Sequence, residues 1–277
     1  MTPARRQARP AATSGVIAGP RGPIGYQLAG HGPALALLAG LGSTTRLWGE
    51  LVGLLARHCT VVAMDNRGVG GSSGGEPFTL SGAADDLAHL ARQLGLATLS
   101  VLGVSMGGLV AVRAAARHPT LVRHLVAVSC GLRSTPSHSR VLRFFELALT
   151  RLSPAEAAEA LMAFAFSSAF ADAYPGFVDQ AARLWAPEPA DLPGALGQLA
   201  HLQAGFDLGE DARTVTCPAL VIAGALDPIV PAAASRELAS AIPGAMYREL
   251  PAAAHSVLAE GGPQLFEEIL AFLDLGR

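Results

Sequence analysis

Two rhythms of apolar and polar positions alternate along this chain. Apolar runs at residues 34–39, 60–64, 98–104, 121–129 and 218–224 have strand length and carry almost no charge, as strands covered on both faces do. Between them, residues 46–58, 82–94, 106–117, 231–241 and 263–274 repeat their apolar positions at helical spacing. Ser81 reads as the N-cap of the second helix, and His118-Pro119 stops the third. Residues 25–29 predict an early antiparallel strand and residues 246–250 a short late one. Such alternation builds βαβ units and therefore a mostly parallel sheet flanked by helices.

The alternation breaks over residues 132–212, which read as several short helices without a strand. This predicts a helical lid inserted into an α/β core made of residues 15–131 and 213–277. Nine of the chain's fifteen aromatic residues lie in this block, among them Phe145, Phe166, Phe177 and Trp185. Such enrichment suits an apolar substrate pocket, although most of these rings are expected to form the block's own small core.

Composition removes several function classes. A net charge of -2 gives no footprint for nucleic acid or an anionic membrane. The uncharged stretch 93–112 could pass for a membrane span, but its four glycines and its division into strand, turn and helix argue against one. All twenty basic residues are arginine, so Schiff-base chemistry and a P-loop lysine are absent. Cys59, Cys130 and Cys217 form no C-x-x-C pair, which suggests neither a disulfide framework nor a zinc site, and fits a reducing cytoplasm. Residues 1–14 contain a twin arginine with no apolar segment of signal length after it, and are expected to be a disordered tail.

The strand at 98–104 runs into Gly103-Val104-Ser105-Met106-Gly107, the spacing of a nucleophile elbow. Ser105 is then the candidate nucleophile. A serine hydroxyl is weak at neutral pH and needs a base and an acid that orients it, in the chain order serine, acid, histidine. Of the histidines after Ser105, His118 and His124 belong to the helix end and strand that follow the elbow, His138 and His201 fall in the predicted lid, and His255 follows the last strand at the carboxyl edge of the sheet. Asp227 ends the preceding strand at the same edge, while the loop after 121–129 offers no carboxylate before Glu146. Two backbone N–H groups would hold a developing oxyanion: Met106 at the start of the elbow helix, and Leu41 in Gly40-Leu41-Gly42-Ser43. Asp65 and Arg67 are expected to hydrogen-bond within their own turn.

Together, Ala39-Gly40-Leu41-Gly42-Ser43 with Trp48, the turn 65–72, the elbow, the segment 218–227 and Ala254-His255 resemble the α/β-hydrolase superfamily. The likeness is to its branch of 3-oxoadipate enol-lactonases, cofactor-free haloperoxidases and small esterases, over residues 24–275. It implies an α/β-hydrolase fold, a triad of Ser105, Asp227 and His255, an oxyanion hole from Leu41 and Met106, and no metal or organic cofactor. The family commonly has His-Gly where this chain has Ala39-Gly40; that histidine is no triad member, and the support of the oxyanion loop is expected to differ.

The expected activity is hydrolysis of a small or medium, apolar carboxylic ester or lactone through an acyl-enzyme. Perhydrolysis, C–C hydrolysis and acyl transfer use the same triad, and a low-turnover ligand-binding module is the alternative of another class. A small molecule is the expected partner, with neither nucleic acid nor membrane.

Overall fold

The computed structural model describes residues 12–275. An eight-stranded sheet forms its centre, in the order β1-β2-β4-β3-β5-β6-β7-β8. The strands are β1 (Thr13–Gly19), β2 (Gly22–Ala29), β3 (Ala34–Leu38), β4 (Thr60–Met64), β5 (Leu99–Val104), β6 (Val122–Val128), β7 (Ala219–Gly224) and β8 (Met246–Leu250). β1 and β2 run antiparallel, and every pairing from β4 to β8 is parallel.

Side chains of a strand alternate between faces, and β3 shows what that does here. Ala36 and Leu38 enter the apolar layer under α2 (Leu80–Gln93), α3 (Met106–Arg117) and α10 (Ala232–Ala241). Leu35 and Leu37 enter the opposite layer, under α1 (Gly49–Leu55) and α12 (Gly262–Phe272). All four are fully buried, which is why the strand reads as one unbroken apolar run. The short helix α11 (Val257–Glu260) lies between β8 and α12.

Between β6 and β7 the chain forms six helices: α4 (Pro136–Arg151), α5 (Pro154–Ala165), α6 (Ser168–Ala173), α7 (Pro175–Trp185), α8 (Leu192–Gln203) and α9 (Gly209–Thr214). They divide into two packing groups. Leu199 and Leu202 of α8 join the main core, whereas Ala158, Met162, Phe166 and Ala182 centre a separate small cluster within α5–α7. Among the described residues, no helix is long and apolar enough to cross a membrane.

Several local expectations need correction. The tail expected at residues 1–14 lies mostly outside the described residues, but Thr13 and Ser14 already belong to β1. The helix expected at 46–58 is a 3-10 turn (Thr45–Trp48) followed by α1, because Gly49 sits at φ 44° between them. Thr79, not Ser81, caps α2 through the Gly82 N–H at 2.9 Å, while Ser81 accepts from Arg113. Asp65 does hold its own turn, accepting from Gly71 N–H at 2.9 Å. Arg67 instead leaves it, pairing with buried Asp86 on α2 and donating to the Arg21 carbonyl. A buried guanidinium needs a carboxylate partner, and the turn offers it none that is free.

Candidate active site

Ser105 stands between β5 and α3 at φ 56° and ψ -122°, a conformation few non-glycine residues adopt. Two contacts enforce it. A Cβ on Gly103 would lie 2.1 Å from the Gly107 carbonyl oxygen, and one on Gly107 would lie 2.0 Å from that of Leu38. Only glycine lets the strand, the turn and the neighbouring strand approach so closely. The Ser105 N–H is held by the Val128 carbonyl at 2.8 Å, so the strain is fixed from outside the turn.

Asp227 follows β7 and is fully buried. Its Oδ1 accepts from the N–H groups of Ile229 and Val230 at 2.8 and 2.9 Å, and its Oδ2 meets His255 Nδ1 at 2.7 Å. Helix α10 takes no side-chain cap from it. Oδ1 thus serves the turn and Oδ2 the imidazole. A carboxylate so placed fixes the Nδ1–H tautomer and leaves Nε2 as the basic nitrogen.

The loop carrying His255 is pinned from several sides. A Cβ on Gly224 would strike the Ala254 carbonyl oxygen at 2.1 Å, Ser129 Oγ donates to the His255 carbonyl at 2.8 Å, and Glu260 accepts from the Ala254 N–H at 2.9 Å. The insertion joins in, because the Ser256 N–H donates to the Ala165 carbonyl at 2.7 Å and Glu260 also accepts from Ser167. Sequence reasoning missed Ser129 and Glu260. For Ser129 a signal existed: it stands just past the carboxyl end of β6, the strand between those that lead to Ser105 and Asp227.

Ser105, His255, Leu41 and Met106 line a single cavity of about 690 Å³. Gly40 brings the loop after β3 alongside the serine, since a Cβ there would lie 3.4 Å from that of Ser105. Among the described residues, neither the Leu41 N–H nor the Met106 N–H has a hydrogen-bond partner. Five of the nine aromatic residues of the insertion line this cavity, Phe145, Phe166, Phe177, Trp185 and Phe206, a larger share than the sequence suggested. Cys130 also lines it, but burial pushes its thiol up to about 12, so it is no rival nucleophile. No group of three His, Cys, Asp or Glu side chains among the described residues is placed to hold a metal ion.

A second imidazole, His138, also faces the cavity and packs edge-on against Phe206. Burial, and then the nearby His255, hold it below the ordinary histidine value, with Asp227 opposing. His124 and His201 are likewise lowered, chiefly by burial. Unfolding returns all three to about 6.5, so below that pH the unfolded chain takes up protons the folded one refuses. The melting temperature is therefore expected to fall steadily from pH 6.5 to pH 5. A flat profile across that window would show that the three rings charge as freely folded as unfolded.

A sequence-family model described as the alpha/beta hydrolase fold matches residues 33–262. The chain belongs to the α/β-hydrolase family. Among its relatives is RutD of Caulobacter sp. (strain K31), whose name proposes carbamate hydrolysis. It is 30% identical over 251 residues, which cover 86% of this chain and 89% of RutD. The enol-lactonase of Burkholderia xenovorans LB400 superposes with a TM-score of 0.80 at 27% identity, covering 91% of this chain and 96% of that one. A hydrolase from Pseudomonas aeruginosa PA01 does so with a TM-score of 0.81 at 28% identity, covering 94% and 98%. This α/β-hydrolase is accordingly an enzyme, with hydrolase and lactonase names among its relatives.

Proposed function

We propose that the chain is a serine hydrolase acting on a small or medium carboxylic ester or lactone with an apolar acyl part, through an acyl-enzyme. The observation that carries this reading is the strained Ser105 opening, together with the base of a buried Asp227–His255 pair, onto a largely apolar cavity. Ser105 Oγ attacks the carbonyl carbon while His255 Nε2 takes its proton. The charge gathered on the carbonyl oxygen is held by the Leu41 and Met106 N–H groups. The carbon–oxygen bond then breaks as His255 returns the proton to the leaving alkoxide. Water repeats the sequence on the acyl-enzyme and frees the acid.

Helices α4–α9 serve as a lid in this reading, with their rings as the acyl-binding wall. The enol-lactonase and carbamate-hydrolase names of the relatives agree with attack at a carbonyl flanked by a heteroatom. No metal or organic cofactor enters the scheme. The three unpaired cysteines suit a reducing cytoplasm as its location.

A fluorophosphonate probe is expected to label Ser105 alone. Over p-nitrophenyl esters of graded acyl length, kcat/KM is expected to rise from acetyl to a medium apolar chain. Labelling elsewhere would overturn the nucleophile, and best turnover on an anionic acyl group would overturn the substrate class.

A further inference from the structure

Gln198 is the most deeply buried polar side chain of the insertion, at 0% exposure, and both ends of its amide are engaged. Its Oε1 accepts from the Gly42 N–H at 2.8 Å, and its Nε2 donates to the Arg67 carbonyl at 2.9 Å. Gly42 follows Leu41 in the turn closed by the Ser43 N–H on the Gly40 carbonyl at 3.2 Å. Two glycines flank Leu41 there, and Gly42 sits at φ 68°, so the turn has little stiffness of its own.

The rest of α8 is built to bring that amide to this place. Asp191 accepts from the Gly70 N–H at 2.8 Å. Gly194 lies so close to Gly68 that a Cβ would reach 1.7 Å from the Gly68 oxygen, and Ala195 packs over Gly42. From the other side Asn66 Nδ2 holds the Ala39 carbonyl at 2.9 Å. The loop is thus gripped at Ala39 from the core and at Gly42 from the insertion, with the free Leu41 N–H between.

We propose that Gln198 is a positioning residue for the oxyanion site: the insertion, through α8, sets the Leu41 N–H for the transition state besides shaping the pocket. This rests on the Ser105 hydrolase reading. An N–H loosened by a fraction of an ångström loses most of its value to an oxyanion while scarcely touching the bound ester. The residue types also answer the Ala39-Gly40 departure, since the support comes from an amide far along the chain.

The test is Gln198→Met, of similar length but without hydrogen-bonding groups, assayed on p-nitrophenyl butyrate. kcat is expected to fall about 10- to 100-fold with KM changed less than about threefold. Affinity for an alkyl trifluoromethyl ketone, which forms a hemiketal oxyanion on the serine, is expected to weaken in step with kcat/KM. A purely structural role would lower the melting temperature and leave kcat intact well below it, and that result overturns the proposal.

Should the variant not fold, hydrogen exchange of the wild-type Gly42 amide decides. Strong protection supports the clamp, and exchange at the rate of an open loop sinks it. An active Ser105→Ala would instead overturn the nucleophile reading, so the two failures are distinguishable.

Discussion

Ser105→Ala is expected to cut kcat for an activated ester by about 10⁴- to 10⁶-fold, with secondary structure and melting temperature close to those of the wild type. The hydroxyl does not hold the turn, which is fixed by the Gly103 and Gly107 contacts and by the Ser105 N–H, all of which alanine keeps. Ser105→Gly makes a sharper test. Glycine accepts φ 56° without the roughly 1–3 kcal/mol of strain that a side chain costs there, against about 0.4–1 kcal/mol of added unfolded-state entropy. This variant should be as inactive as Ser105→Ala yet at least as stable as the wild type by denaturant titration. Retained turnover in either variant would remove Ser105 as nucleophile.

The second large effect is expected from Asp227→Asn, at about 10⁴-fold in kcat with KM little changed. The direction follows from the hydrogen bonds around it. The Ile229 and Val230 N–H groups require an acceptor, so the new amide oxygen faces them and the amide NH₂ faces His255 Nδ1. Nδ1 must then accept, the ring proton moves to Nε2, and the nitrogen facing the cavity can no longer take a proton. A loss below tenfold in steady-state kinetics would mean that His255 does not depend on Asp227 for its tautomer.

The parts legible in the sequence were those written locally or by chain order. The apolar runs of β3 to β7 stood out because strands covered on both faces need little else. Ser105, Asp227 and His255 could be chosen because a parallel sheet gathers functional groups at one edge, and few candidates follow the elbow. β1 escaped notice because an edge strand alternates exposed and half-covered positions, and Thr-Ser-Gly at its start resembles a loop.

Gln198 escaped for a different reason. Its meaning lies in Gly42 and Arg67, which are 156 and 131 residues away, and no periodicity within α8 distinguishes it from a solvent-facing glutamine. Ser129 acts by the same kind of distant hydrogen bond, to a carbonyl 126 residues away, and Glu260 does so toward the Ser167 N–H, 93 residues away.

The division of the insertion between α8 and the α5–α7 cluster bears on how this enzyme can diversify. The α5–α7 unit centres on its own cluster, supplies Met162, Phe166 and Trp185 to the cavity wall, and meets the main body through Ala157 and Leu161 and through the hydrogen bonds of Ala165 and Ser167 to the His255 loop. Mutations there can accumulate, or the segment can be exchanged between homologues, with little reach into the Gly42 and Arg67 backbone. Drift in α8 has no such freedom. Recombination breakpoints that survive selection for turnover should therefore cluster between α7 and α8, and acyl-chain preference should be the trait that such crossovers transmit.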